Sequence, residues 1–291
     1  MRKLSQNDVE RFRADGFLLV ERLIGPELVE RLKERFAPLF RGEFETGVWP
    51  DEWHWREGMS LPDITRHMSG LWKADRTIAS VSLSAVLGRF AAELMGWPGA
   101  RIGLDTLWWK PPQAKEIALH QDATYMAFLD PPEVVTVWIA LDDTHRDAGT
   151  LEYVPGSHLW PLKEKIGDFH APDHDYRAMM RAAALAVGVS DAKVVPIEAK
   201  AGDCSIHHGR TWHGSDCNRS ADRPRRSLGV HLLSSATRFR PEGVGYIFGR
   251  YQCVGSTEMD ESFFPILWTR SGYRSAHLAA YCRDALTAPA A

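Results

Sequence analysis

His120 and Asp122, one residue apart, and His213 farther along the chain are the residue types that hold a divalent iron. Two imidazoles and one carboxylate on one face of octahedral Fe(II) leave three positions open for a chelating co-substrate and O₂. Such a set serves oxidation rather than a closed structural site, and it points to an enzyme. In an extended strand residues i and i+2 share a side, so His120 and Asp122 project together while Gln121 faces away. The spacing alone says little, because His145-Arg146-Asp147 repeats it. That copy lies in the polar run from Asp142 to Gly149, which reads as a solvated turn. His207, His208 and His213 compete for the third position. If 203–207 is a strand and 208–211 a bend, His213 starts a return strand with Ser215 beside it on the same face. His207 or His208 then supports the site or packs in its wall.

A second group lies in the run Arg225-Arg226-Ser227-Leu228-Gly229-Val230-His231. Alternation puts Arg225, Ser227, Gly229 and His231 on one face, which looks like an interior. A buried arginine requires an anion, and its planar fork suits a carboxylate. The bland alternative is a solvated cluster of Arg219, Arg223, Arg225 and Arg226. Trp108, Trp109, Tyr125 and Phe128 flank the His-x-Asp segment and are candidates for a pocket lining, Tyr125 foremost. Lys110 either reaches the mouth or lies in solvent.

These residues need elements to carry them. Ser5 or Asn7 caps a short helix through Ala14, Gly16 ends it, and Phe17 to Val20 reads as a strand. Pro26 opens a helix to about Phe40 with Leu28, Val29, Leu32, Phe36 and Leu39 at helical spacing. Residues 42–62, with Trp49, Trp53 and Trp55, read as a long loop that either pads the core or covers a site. A further amphipathic helix is predicted from Ile78 to Met95. Past Pro98 come short strands: Arg101 to Lys110, Ile117 to Leu119, Val134 to Leu141, Thr150 to Val154, Lys193 to Glu198, Asp203 to His207 and Arg225 to Leu233. Such a series favours an antiparallel sandwich or barrel. A helical stretch, Asp175 to Ala186, interrupts it within an insertion at about 160–191. One domain over 1–291 is expected, with a helical scaffold at about 1–96, a β core at about 97–235 and a C-terminal extension at about 236–291.

At 291 residues, 44% hydrophobic and 25% charged, the chain can bury a full core. A formal net charge of −3 gives no basic field, so no nucleic acid and no anionic membrane are expected as partners, and a small-molecule substrate is. The four cysteines form no Cys-x-x-Cys pair and suit a reducing cytosol. The opening residues 1–8 lack an apolar signal core, and no long uncharged apolar stretch is seen, so a soluble, unprocessed, cytoplasmic protein is expected.

The chain resembles the phytanoyl-CoA dioxygenase family of Fe(II)/2-oxoglutarate oxygenases. The motifs that carry the resemblance are Asp15-Gly16-Phe17-Leu18-Leu19-Val20, His120-Gln121-Asp122, Trp138-Ile139-Ala140-Leu141-Asp142, Gly149-Thr150-Leu151 with Val154-Pro155-Gly156-Ser157-His158, Gly202-Asp203, and His213-Gly214-Ser215 with Asn218. The resemblance implies a mainly β fold with flanking helices, a cupin-like jelly roll or double-stranded β-helix. It implies His120, Asp122 and His213 as iron ligands and Arg225 as partner of the distal carboxylate of 2-oxoglutarate. Ser227 would join that clamp, and Ser215 and Trp138 would flank it. The His213-to-Arg225 interval is a residue longer than the commonest family spacing, leaving Arg226 and Arg223 as lesser candidates. Halogenating relatives carry a small residue where Asp122 stands, so hydroxylation with release of succinate and CO₂ is the implied chemistry. A bacterial secondary metabolite is the expected substrate. Acyl-CoA hydroxylation, an inactive jelly-roll binding protein and a zinc isomerase or hydrolase are the rivals. The ending Thr287-Ala288-Pro289-Ala290-Ala291 carries no peroxisomal signal, which favours biosynthesis over fatty-acid catabolism.

Overall fold

The structure is a computed structural model that describes residues 3–165, 167 and 169–287. Met1, Arg2 and the closing residues 288–291, on which the leader and peroxisomal readings partly rest, lie outside the described residues.

Helix α1 spans Gln6–Asp15, with Ser5 and Asp8 forming a reciprocal capping box. Gly16 ends it at φ 81°, and a Cβ there would sit 2.5 Å from His158 Nδ1. Strand β1, Phe17–Val20, follows. The helix expected from Pro26 to Phe40 is two helices, α2 (Pro26–Glu34) and α3 (Phe36–Phe40). Pro38 is the reason: it has no N–H to donate, and its ring would collide with the carbonyl of Glu34 in a continuous helix. The apolar face is as predicted, with Leu28, Val29, Leu32, Phe36 and Leu39 all buried.

Residues 42–62 contain one short strand, β2 (Glu52–Trp53), which pairs with β3 (Arg66–Ser69). Trp55 is buried against Phe40 and Trp53 packs on Phe44, while Trp49 stays 63% exposed. Two of the three tryptophans therefore pad the scaffold. The helix expected from Ile78 to Met95 is likewise two, α4 (Arg76–Ser82) and α5 (Ala85–Met95). Ser84 interrupts it by capping the second helix, its side chain accepting from Val86 N. By length and composition the combined stretch Arg76–Met95 could cross a membrane, but 72% of its apolar window is buried inside the protein.

The β core follows: β4 (Gly99–Lys110), β5 (Ile117–His120), β6 (Leu129–Asp130), β7 (Val135–Ala140), β8 (Leu151–Tyr153), then helix α6 (Ala178–Ala186), β9 (Val195–Pro196), β10 (Cys204–His208), β11 (His213–Ser215), β12 (Arg225–Ser234) and β13 (Arg238–Phe239). Strand β14 (Ile266–Thr269) and helix α7 (Leu278–Tyr281) close the described chain. One sheet runs β1-β10-β7-β12-β4-β3-β2, with β14 also on β4, and a smaller one runs β5-β11-β8-β9. Both are antiparallel. The fold is a cupin-like jelly roll, mostly β with a few flanking helices.

Alternation divides the large sheet. Val135, Val137 and Ile139 of β7, with Leu228, Val230 and Leu232 of β12, join the core that α2, α4 and α5 cover. Thr136 and Trp138, with Arg225 and Gly229, face the smaller sheet instead and line the cavity between the sheets.

Candidate active site

Three segments deliver the central residues. His120 ends β5, and extended Gln121 keeps the strand parity for one more residue. Asp122 itself opens a single-turn helix, Asp122–Met126, rather than continuing the strand as expected. Gln121 does face away, bonding Arg210 O and Lys163 N. His213 begins β11 directly opposite His120 in the ladder. The Nε2 atoms of His120 and His213 stand 3.4 and 3.6 Å from one oxygen of Asp122, Oδ1. Each imidazole turns its other nitrogen to a backbone carbonyl, His120 Nδ1 to Ala118 O and His213 Nδ1 to Thr211 O. Those bonds place the proton on Nδ1 and aim the Nε2 lone pairs at the shared point.

The second oxygen, Asp122 Oδ2, is occupied separately. It accepts from Thr136 Oγ1 at 2.6 Å and meets His207 Nε2 at 3.2 Å, with His231 Nε2 at 3.7 Å. Burial alone would raise the Asp122 carboxyl. The neighbouring imidazoles of His213, His120 and His207 outweigh burial and hold the carboxyl well below its ordinary range. His213 is pushed well below the usual imidazole value by burial first, then by His207 and His120. An ionised carboxylate beside neutral imidazole is the protonation state a metal requires, so the donor set fits Fe(II).

Arg225 lies in the same cavity, 3% exposed. Its Nε and Nη2 donate to Gly149 O, and its Nη1 to Ser227 Oγ at 3.2 Å. Among the described residues those acceptors are all neutral, and burial lowers the guanidinium to about 10. The carboxylate that acts on it, Asp142, is itself held by Arg226 through two bonds of 2.8 and 2.9 Å. Lys110 is fully buried, neither at the mouth nor in solvent, and donates to Ser215 Oγ at 2.8 Å and to Asp216 O. Burial, then repulsion from Arg225, pushes its pKa well down. Gly149 sits between these cations at φ 64°, and a Cβ there would come within 3.0 Å of Lys110 Cδ. Arg225 thus lines a cavity whose one acidic lining residue, among those described, is Asp122, while Lys110 is bonded behind it to Ser215.

The structure brings His120, Asp122, His213, Arg225, Ser215 and Trp138 to one cavity, with Ser227 bonded to Arg225. Tyr125 stands beside these residues without lining the cavity; its ring meets His120 edge-on at 6.1 Å. Parity separates the other flanking aromatics. Trp108 lines the cavity, Trp109 packs on Phe36 and Phe40, and Phe128 joins a separate apolar cluster. His207 is in the wall and His208 points outward against Phe12 and His158. Arg226 pairs Asp142 on the opposite face, and Arg223 is exposed. His145 to Asp147 form an exposed turn.

Sequence reasoning missed Thr136, Tyr153 and Phe169. Thr136 had a signal, a lone hydroxyl two residues before Trp138 in an otherwise apolar strand. Tyr153 Oη bonds His207 Nδ1 and Ser205 Oγ. Phe169 stacks edge-on against His120 at 4.5 Å, brought there from the insertion.

The model of the phytanoyl-CoA dioxygenase family matches residues 12–227. The chain belongs to that family. The protein is accordingly a non-haem, Fe(II)- and 2-oxoglutarate-dependent dioxygenase. Phytanoyl-CoA dioxygenase 1 of Oryza sativa subsp. japonica is 23% identical over 270 residues, covering 80% of this chain and 90% of its own. Among solved structures, the epimerase SnoN in complex with Fe3+, alpha ketoglutarate and nogalamycin RO superposes with a TM-score of 0.69 at 21% identity, covering 90% of this chain and 98% of its own. The carbocyclase SnoK from nogalamycin biosynthesis gives 0.68 at 22%, covering 91% and 96%. These two solved structures share the fold seen here.

Proposed function

We propose that His120, Asp122 and His213 hold Fe(II), and that Arg225 with Ser227, flanked by Ser215 and Trp138, holds the distal carboxylate of 2-oxoglutarate. The observation that carries this reading is the division of labour at Asp122. Oδ1 faces both lone-pair nitrogens while Oδ2 is tied to Thr136 and His207, so one oxygen is left for the metal. The buried guanidinium of Arg225, bonded to neutral acceptors, supplies the fork that a carboxylate needs.

Bound iron with 2-oxoglutarate and O₂ supplies the oxidising chemistry, releasing succinate and CO₂. The chain's own part is to orient and exclude. Thr136 and His207 fix the carboxylate plane, the carbonyls of Ala118 and Thr211 fix the ring tautomers, and Phe169 shields His120 from water. Tyr125 is the residue proposed to meet substrate, since its ring adjoins both His120 and Phe169.

The reaction we infer is hydroxylation, or a related oxidation, of a small-molecule secondary metabolite of the bacterial type, performed by a single domain. Asp122 occupies the position that halogenating relatives leave small, and SnoN and SnoK belong to nogalamycin biosynthesis. The test is succinate formation on addition of Fe(II), 2-oxoglutarate and O₂, with candidate metabolites screened by mass. His120→Ala and Asp122→Ala are expected to abolish turnover with an unchanged circular dichroism spectrum. Full succinate production by either variant would overturn the ligand set.

A further inference from the structure

The inner face of the large sheet does not stop at the cavity. Beyond Trp108 it continues across β3 and β2, because His67 pairs with Trp108, Ser69 with Thr106, and Glu52 with Ser69. His54 extends that ladder by one rung, its N–H bonding His67 O at 3.0 Å. The insertion then brings a third imidazole. Ala118 N donates to Phe169 O and Ala171 N to Glu116 O, so His170 is bridged to Ile117 along β5.

The three rings, from three separate segments, gather at one place. Their centroids lie 4.7 Å (His54 and His67), 4.1 Å (His54 and His170) and 4.8 Å (His67 and His170) apart. One nitrogen of each lies within 4.8 Å of those of the other two. Glu52 Oε2 meets His67 Nε2 at 2.8 Å, and although burial works against it, its bond to His67 keeps Glu52 ionised. A carboxylate accepting Nε2–H leaves the lone pair of His67 on Nδ1. That atom is buried, in a residue only 6% exposed, and makes no hydrogen bond. Both ring nitrogens of His170 are also buried without a partner. Buried polar nitrogens left unsatisfied are costly, so a group that satisfies them is expected. The carboxylate–imidazole arrangement at Glu52 and His67 is the one that orients metal-ligating histidines.

We propose that His54, His67 and His170 form a second metal site, distinct from the catalytic one, that takes a borderline divalent ion of the Zn(II) type. Three imidazoles and no oxygen-rich shell disfavour Mg(II) and Ca(II) and suit Zn(II), Ni(II) or Cu(II). The rings now lie nearly parallel, at interplanar angles of 13°, 19° and 10°, so metal–nitrogen bonds of about 2.0–2.1 Å require the rings to turn out of the stack until one lone pair of each points at the ion. Burial together with the neighbouring His67 and His54 lowers His170 to about 2, and burial also lowers His54, so both offer neutral nitrogens at physiological pH. An ion there ties the insertion to the β2–β3 pair. Because Phe169, the next residue, lies on His120, the ion sets how firmly the cavity is covered.

The test counts ions rather than turnover. Metal-free full-length protein is dialysed against Zn(II), and separately against Co(II) as a visible probe. Wild type is expected to bind two ions per chain, and His170→Gln and His54→Gln one each, with circular dichroism confirming that both variants fold. Asp122→Ala is expected to keep one, and the tetrahedral Co(II) absorption should vanish only in the histidine variants. One ion in wild type and none in Asp122→Ala would overturn this site and leave the catalytic reading standing. One ion in wild type and none in His170→Gln would do the reverse. Two ions retained by both His170→Gln and His54→Gln would also overturn it.

Discussion

At the scale of single residues, the site depends on groups that touch no reactant. Thr136→Val keeps the shape of the side chain but removes the 2.6 Å bond to Asp122 Oδ2, freeing the carboxylate to turn. Loss of such a supporting bond costs about 10–100-fold in metal affinity. Fe(II) titration should show that loss while thermal stability stays close to wild type, and an unchanged affinity would remove Thr136 from the machinery. Arg225→Lys is expected to preserve charge and lose the fork, raising the KM for 2-oxoglutarate at least about tenfold with a smaller change in kcat. An unaltered KM would move the clamp to a neighbouring basic residue. The pairing of His120 with Asp122 was legible in their spacing, whereas His213 was singled out from His207 and His208 only by the resemblance to the family. His207 was left ambiguous because nothing local distinguishes it from His208. Which of the two faces Asp122 is decided by the register of β10 against β7, where His207 pairs with Thr136.

At the scale of elements, the β core was readable and the helix ends were not. Alternation of apolar and polar residues announces a strand whose two faces meet different surroundings, as in β7 and β12. The buried face of the scaffold keeps its helical spacing through the breaks at Arg35 and Ser84, so the apolar pattern does not register them. The lone proline and the lone serine that cause those breaks are weak signals beside that pattern. The cluster of His54, His67 and His170 was illegible for another reason: its members come from three segments whose meeting depends on the docked insertion. The join between scaffold and core holds an acid whose cost can be measured. Asp105 of β4 is fully buried, bonds Ser82 Oγ at the end of α4, and is raised by burial to about 6. Its folded pKa exceeds the unfolded value, so the folded state binds the proton more tightly. Its contribution is therefore favourable below about pH 4 and is lost as pH rises through about 6. Asp105→Asn cannot titrate, so relative to wild type it should gain about 2–3 kcal/mol between pH 4 and pH 7. Denaturant unfolding at both pH values measures that change, and a pH-independent difference would show that Asp105 titrates alike folded and unfolded.

At the scale of the whole molecule, the insertion is what turns an open barrel mouth into a covered cavity, and a single buried acid holds its far end. Glu152 of β8 is 1% exposed and takes Arg177 Nη2 on both oxygens at 2.7 Å, with Tyr176 Oη on Oε2 at 3.0 Å. Tyr176 O in turn accepts from Leu119 N, next to His120. Arg177→Met leaves that carboxylate buried with no cation beside it, which should destabilise the protein by about 2–4 kcal/mol. Adding Glu152→Gln removes the uncompensated charge, so the double variant should recover most of the loss, and the cycle isolates the pair. The same release bears on catalysis through Phe169, which belongs to the held segment and shields His120. Once Arg177 is lost, water gains access to the cavity, and the ratio of succinate formed to substrate oxidised should rise above one. Iron content should stay unchanged, because no residue bonded to Asp122 has moved. If the single variant is destabilised yet its ratio stays at one, the grip on Glu152 serves stability alone and the cover over His120 is held by the backbone bonds to β5.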